Sequence, residues 1–252
     1  MSSGVAIGQR RWAPRAGARV DWSHPLAAGL VDLVGFRGGA PVSHVTGLVG
    51  SSSGSVARLS SPAGGAVSAG STTGYWTLPN PRGGLLSGGS ITMMMLARRQ
   101  LSGESNFSAF GGMPYSASWS SPFGHAFMSA PATGFTPNLG FAYSTSGAIY
   151  NQANWFGPVS HDNWQWHTVV LIPGTSITLY VNGVSFGSGT YVAGALGNTP
   201  AAPAAPPSMI FSNVPAGSQG SPGGVGFAAW WNRALSTNEI ASMVDDPFRV
   251  VR

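Results

Sequence analysis

Asn163 to Ser188, NWQWHTVVLIPGTSITLYVNGVSFGS, is the stretch that decides the fold. Aromatic and branched residues dominate Trp166 to Ile172, where Val169 and Leu171 alternate with Thr168 and Val170. Pro173-Gly174 then turns the chain. In Ser176 to Val181, Ile177, Leu179 and Val181 point one way and Thr178 and Tyr180 the other, the period of two of a half-buried strand. Asn182-Gly183 is the dipeptide of a two-residue type I′ hairpin, whose central residues both need positive φ. Val184 to Phe186 lead the chain back. The stretch predicts an antiparallel β meander with one buried face.

A later echo, Gly224 to Phe248, reads GVGFAAWWNRALSTNEIASMVDDPF. Val225 to Trp231 predicts a further strand, followed by a short helix. Ser236 and Glu239 have capping-box spacing, and Leu235 and Ile240 are placed for a hydrophobic staple across that cap. Met243 and Val244 continue the apolar face, and Pro247 ends the helix. So short and local a helix is expected to plug one end of a β structure.

Together the two segments resemble the laminin G-like, concanavalin A-like jelly roll. The resemblance is carried by Trp166-His167-Thr168-Val169-Val170, by Leu179-Tyr180-Val181-Asn182-Gly183, and by Asn232-Arg233-Ala234-Leu235-Ser236-Thr237-Asn238-Glu239-Ile240. It implies an all-β, two-sheet antiparallel jelly-roll sandwich with one short C-terminal helix. It implies little about function, because such a fold hosts many unrelated activities.

Near the N-terminus, Asp21 to Val31 reads DWSHPLAAGLV, and Asp246-Pro247-Phe248 closes the chain before Arg249-Val250-Val251-Arg252. Both ends resemble laminin G-like proteins encoded by tailed bacteriophages and prophages, in which a basic, Trp-containing leader precedes the first motif. Residues 1–20 are expected to form an extended basic arm, tied down by its own domain or by a partner. Residues 21–252 are expected to form the jelly-roll domain.

Composition narrows the function. At 252 residues, a single all-β sandwich accommodates the chain. Charged residues make up 8%, against roughly 25% in an ordinary soluble protein, which suits a protein packed against neighbours. The net charge of +5 comes entirely from arginine, and Arg10, Arg11, Arg15 and Arg19 lie in the first nineteen residues. Docking to carboxylates at a protein interface is favoured over nucleic acid, for which no reader motif is present. Zero cysteines exclude disulfides and thiolate chemistry. Neither a signal-peptide core nor an apolar run of membrane-spanning length is found, so synthesis in a host cytoplasm is expected, with no membrane partner.

Between these landmarks, residues 35–75 predict short strands and loops, and Ser90 to Arg99, SITMMMLARR, predicts a central strand with its methionines in the core. Residues 104–156 are dense in aromatics alternating with small polar residues, which predicts several strands crossing the sandwich. Trp119, Trp155 and Trp164 sit beside turn-forming residues and are the candidates for stacking on a sugar. Asn198 to Pro207, NTPAAPAAPP, predicts an extended loop, and Met209-Ile210-Phe211 a strand.

Little in the chain promises catalysis. A glycosidase needs two carboxylates at fixed separation. Only Asp21, Asp32, Glu104, Asp162, Glu239, Asp245 and Asp246 exist, with no E-x-D-x-x-E pattern. His24, His44, His125, His161 and His167 lack metal-ligand spacing, and His167 is expected to be structural. No nucleophile elbow, Walker A loop or dinucleotide fingerprint appears in its required context. No catalytic residue and no cofactor are expected. Asp162 and Asn163 could contribute to a weak calcium site, which the scarcity of carboxylates does not support.

The expectation is therefore a non-enzymatic structural protein exposed on a phage virion. Capsid decoration is the favoured role, with docking on the major capsid protein or tail proteins through Arg10, Arg11, Trp12, Arg15 and Arg19. Homo-oligomers on the particle are expected. The alternative is a lectin-like adhesion module that attaches the particle to host surface glycans.

Overall fold

In the computed structural model, the residues described are 14, 17–37, 40–54, 56–68, 75–79, 89–98, 108–113, 125–130, 138–143, 152–158, 163–172, 175–189, 208–211 and 223–252. The strands in chain order are β1 (Leu30–Arg37), β2 (Ala40–Ser43), β3 (Ser51–Ser53), β4 (Ala57–Ser61), β5 (Gly64–Ser68) and β6 (Tyr75–Pro79). They continue as β7 (Ile91–Arg98), β8 (Ser108–Met113), β9 (His125–Ala130), β10 (Asn138–Tyr143) and β11 (Gln152–Pro158). The last are β12 (Trp164–Ile172), β13 (Ser176–Val181), β14 (Val184–Gly189), β15 (Ser208–Phe211) and β16 (Gly224–Trp231), before helix α1 (Thr237–Asp245).

The meander forms as its pattern requires. β12 pairs antiparallel with β13 from His167↔Val181 to Ile172↔Ser176, and β13 with β14 across Asn182-Gly183. Asn182 and Gly183 have φ of 51° and 81°, as a type I′ turn demands. The Asn182 side chain also accepts the Trp166 amide at 3.0 Å, tying the turn to the next strand over. The Pro173-Gly174 turn lies outside the described residues.

Two antiparallel sheets result. One runs β14-β13-β12-β7-β16-β1-β2, with β5 added against β16 and β4 against β5; the other runs β11-β10-β9-β8-β15-β6-β3. Non-consecutive neighbours such as β7 beside both β12 and β16 place the methionine strand at the centre of the larger sheet. The aromatic-rich segment supplies four consecutive strands of the smaller one. All-β architecture with a single C-terminal helix is thus observed among the described residues. No described helix is long and apolar enough to cross a membrane.

One expectation fails. The meander was expected to bury one face, yet Trp166 to Leu171 are all buried. Val169, Leu171, Met93, Met95, Ala228 and Trp230 belong to one apolar cluster, which also takes Trp76 and Leu78 from the smaller sheet. Trp166, Val170, Met94, Leu96, Phe227 and Trp231 point the other way into a second cluster. That second cluster is closed by Leu235, Ile240 and Met243 of the helix region, by Val20 and Leu26 near the N-terminus, and by Phe248 and Val250. The helix therefore covers the outer face of the larger sheet and does not plug an end. Central strands buried on both faces lose polar alternation, and the run of apolar residues from Val225 to Trp231 records this.

The helix start matches its expected cap. Ser236 Oγ accepts the Glu239 amide and Glu239 accepts the Ser236 amide, at 3.3 and 2.8 Å. Leu235 and Ile240, the staple pair, are both buried. Arg233 adds a two-pronged bond to Glu239, at 2.7 and 3.1 Å.

Candidate functional site

The described surface nearest the expected arm is built where Arg19 to Asp21 meet the C-terminal segment. Arg19 and Arg252 exchange main-chain hydrogen bonds of 2.8 and 2.9 Å, and the Asp21 amide donates to the Val250 carbonyl at 2.7 Å. Val20, buried, bridges Val251. On its other side, the Val20 amide donates to the His44 carbonyl at 3.3 Å. Gly17 to Val20 is thereby a strap laid between the C-terminal segment and the turn after β2. The end of the expected arm is part of the folded body.

Side chains reinforce this junction. The Asp21 carboxylate pairs with the Arg252 guanidinium and accepts the Ser23 hydroxyl at 2.6 Å. The Ser23 hydroxyl is the main reason its pKa lies below the ordinary value, and Arg252 adds to the effect. Arg19 lays its guanidinium over Gly47, where φ is +78° and a Cβ would collide with it. Leu48 and Val49, next in the chain, are exposed, as is Trp22. Arg10, Arg11, Trp12 and Arg15 lie outside the described residues.

Of the candidate sugar-stacking residues, Trp119 lies outside the described residues. Trp155 is inside β11, its backbone opposite Gly140, and its side chain is outside the description. Trp164 opens β12 on the outer face of the larger sheet, half-buried. The Arg98 guanidinium stands 5.6 Å from its ring centroid, a cation–π pair from the adjacent strand. A Cβ on Gly224 would come within 2.9 Å of the same indole. So Trp155 stands inside a strand, while Trp164 is the first residue of one, after the bend at Asn163, and already packs against Arg98 and Gly224. The register Trp164↔Arg98↔Gly224 is a cross-strand relation with no local sequence signal.

Each described carboxylate has a structural task. Asp32 accepts the Leu33 amide and the Ser43 hydroxyl at 2.7 and 2.6 Å. Glu239 serves Arg233 and the helix cap, and the Arg233 bond is the main cause of its pKa falling to about 2. Asp245 pairs with Arg249, and Asp246 accepts the Phe248 amide. Glu104 and Asp162 lie outside the described residues. Among the described residues no group of three His, Asp or Glu side chains could hold a metal ion. His167 is a buried strand residue of β12.

Comparison with known proteins supports the same architecture. No curated protein sequence matches the chain. Domain 4 of AbnA, an extracellular arabinanase from Geobacillus stearothermophilus solved with arabinotriose, superposes with a TM-score of 0.60 at 16% identity, covering 86% of this chain and 98% of that domain. A botulinum neurotoxin type C structure, whose toxin enters cells through two ganglioside molecules, gives 0.62 at 14% identity over 86% of this chain. The binding domain of Paraclostridial Mosquitocidal Protein 1 gives 0.62 at 12% identity over 89%. The chain spans about half the length of these two toxin structures, 51% and 53%. At such identities the likeness concerns the fold. A laminin G-type family model, described as the concanavalin A-like lectin/glucanases superfamily, matches residues 70–241. With both sheets, the meander and the capped helix in place, the chain belongs to the concanavalin A-like lectin/glucanases superfamily, in its laminin G-like form.

Proposed function

We propose that this protein is a non-enzymatic, carbohydrate-binding jelly roll carried on the surface of a bacteriophage particle. The observation that carries the binding reading is the fate of its carboxylates. Five of the seven are tied into the ends of the fold, a buried strand or the helix cap. The other two, Glu104 and Asp162, are the minimum pair such a reaction requires and lie outside the described residues.

Carbohydrate as ligand is supported by the company of the fold. The arabinanase domain was solved with arabinotriose, and a botulinum toxin binding domain with SialylT aligns at a TM-score of 0.63 and 10% identity over 87% of this chain and 52% of that one. Placement agrees with this. The helix, Val20, Leu26, Phe248 and Val250 cover the larger sheet, while the aromatic-rich segment 104–156 builds β8 to β11 of the smaller one. Trp119 and Trp155 belong to that segment and are the favoured stacking residues; Trp164, engaged by Arg98, ranks behind them.

A second reading, capsid decoration, is favoured by the DWSHPLAAGLV and DPF ends. Those phage-like ends are joined to each other through Asp21, Val250 and Arg252. The leader that emerges there would dock on a capsid or tail protein through Arg10, Arg11, Trp12 and Arg15, with homo-oligomers on the particle. The readings are compatible, and one pair of experiments separates them. Screening purified protein on an array of bacterial surface glycans should give binding that Trp119→Ala or Trp155→Ala weakens, with no released sugar. An array without hits would remove the carbohydrate reading. Label spaced regularly over the heads of particles in electron microscopy would establish decoration, and label confined to the tail would refute it.

A further inference from the structure

His44 is a buried side chain that joins the strap to the rest of the junction. Its backbone is fixed from both sides: the amide donates to the Leu33 carbonyl at 2.8 Å and the carbonyl accepts from Val20. Its ring is 3% exposed. Nδ1 lies 3.0 Å from the Ala18 carbonyl, which accepts only, so in the neutral ring Nδ1 carries the proton. Nε2 is then a bare acceptor. It is buried without a hydrogen-bond partner and faces Gly35, where a Cβ would come within 2.9 Å of it. Phe248 closes the box edge-on, ring centroids 5.7 Å apart at 70°. Ala18 and Val20 of the strap, both buried, form the remaining wall.

We propose that His44 makes the strap Gly17–Val20 a pH-sensitive latch, in which proton uptake by the buried ring releases the strap from the C-terminal segment. A second proton would place an N–H against Gly35 and Phe248, with no acceptor, and a cation in a dry box. The charged groups around it do not help. Arg19 faces it from the strap and Arg37 from the end of β1, both positive. On the C-terminal segment Phe248 is neutral, Arg249 is turned to Asp245 and Arg252 to Asp21. Asp32 is committed to Leu33 and Ser43. Burial first, then the two arginines, hold the ring below its ordinary pKa against the pull of the Ala18 carbonyl. Lifting Gly17 to Val20 opens the wall, hydrates the imidazolium and separates it from Arg19.

The latch acts on the leader. The strap follows residues 1–16 in sequence, and its release frees four residues, about 13 Å when extended. The Asp21–Arg252 pair stays ionised through the window, because Asp21 lies below its ordinary carboxylate range. His24 is the other titratable group nearby; its Nδ1 accepts the Leu26 amide at 3.1 Å and it faces Asp21.

Hydrogen exchange on the full chain, corrected for intrinsic rates, tests the latch between pH 7.5 and 4.5. The Arg19, Val20, Asp21 and Arg252 amides should lose protection as pH falls below about 6.5, by at most tenfold per pH unit, the ceiling for one proton. Amides of β16 and α1 should keep theirs. In His44→Gln, strap protection should no longer depend on pH, whereas His24→Asn should leave the dependence intact. An NMR titration of the His44 ring in the unmodified protein supplies a readout free of folding effects, and its midpoint should lie below the ordinary value. Strap protection unchanged with pH, the same loss in His44→Gln, simultaneous loss in β16, or a His44 midpoint at or above the ordinary value would each overturn the proposal.

Discussion

Thr92 offers the sharpest test of how the larger sheet holds its helix. It is the second residue of β7 and fully buried. Its hydroxyl donates to the Arg233 carbonyl and accepts the Leu235 amide, each at 2.9 Å. One hydroxyl thus satisfies both main-chain groups of the link between β16 and α1. Thr92→Val keeps the shape and the strand preference but leaves a carbonyl and an amide unpaired in a dry site. Each such group costs about 1–3 kcal/mol, so a loss of about 2–6 kcal/mol is expected. That is a large share of a stability of about 5–15 kcal/mol. Thr92→Ser keeps both bonds and removes one methyl, for about 1 kcal/mol. Urea unfolding followed by tryptophan fluorescence, with linear extrapolation, measures both variants. The reasoning is refuted if Thr92→Val lies within about 0.5 kcal/mol of the parent, the noise of ordinary surface substitutions. It also fails if Thr92→Ser loses as much as Thr92→Val.

Glu239→Gln removes a carboxylate whose pKa is depressed from 4.5 to about 2. The stability it contributes is present above pH 4.5 and lost as pH falls through about 2; with 29% of the side chain exposed, screening reduces it to about 1 kcal/mol. Urea midpoints should differ from the parent at pH 6 and converge towards pH 2. Asn182→Ala should cost about 1–2 kcal/mol in the same assay, through the positive φ and the lost bond to the Trp166 amide, while Asn182→Gly should recover the backbone part. Gly65→Ala drives a Cβ into the Phe36 carbonyl of β1, a backbone neighbour that cannot rotate away, and should cost about 1–3 kcal/mol as a lower melting temperature. Deleting residues 1–20 removes the buried Ala18 and Val20, and should lower the melting temperature by several degrees, at about 2–4 °C per kcal/mol.

Much of the fold was legible because its signals are local. The type I′ turn at Asn182-Gly183, the alternation in Ser176 to Val181 and the capping box at Ser236 and Glu239 each act within a few residues, and each forms as read. The buried face was misjudged for β12 because its cover comes from elsewhere: the helix, Leu26 and Phe248 are far from it in sequence. The sugar-stacking candidates were chosen by proximity to turns. Trp155 instead stands inside a strand, and Trp164, first in its strand, meets Arg98 only through the register of β12 on β7. Nothing near position 164 announces a partner at position 98.

What the sequence by itself determined is what short-range physics controls: a β meander and a capped and stapled helix. Tertiary structure alone decided that the helix, Val20 and Leu26, and the C-terminal Phe248 and Val250 roof the outer face of the larger sheet. It alone decided that Arg19 and Arg252 share a ribbon, and that His44 is sealed between Ala18, Gly35 and Phe248. The physical reason is sequence separation. Closing a loop of more than two hundred residues costs entropy that grows only with the logarithm of its length. Contacts between the chain ends are therefore chosen by whichever apolar surface remains to be covered, and no local pattern records that choice.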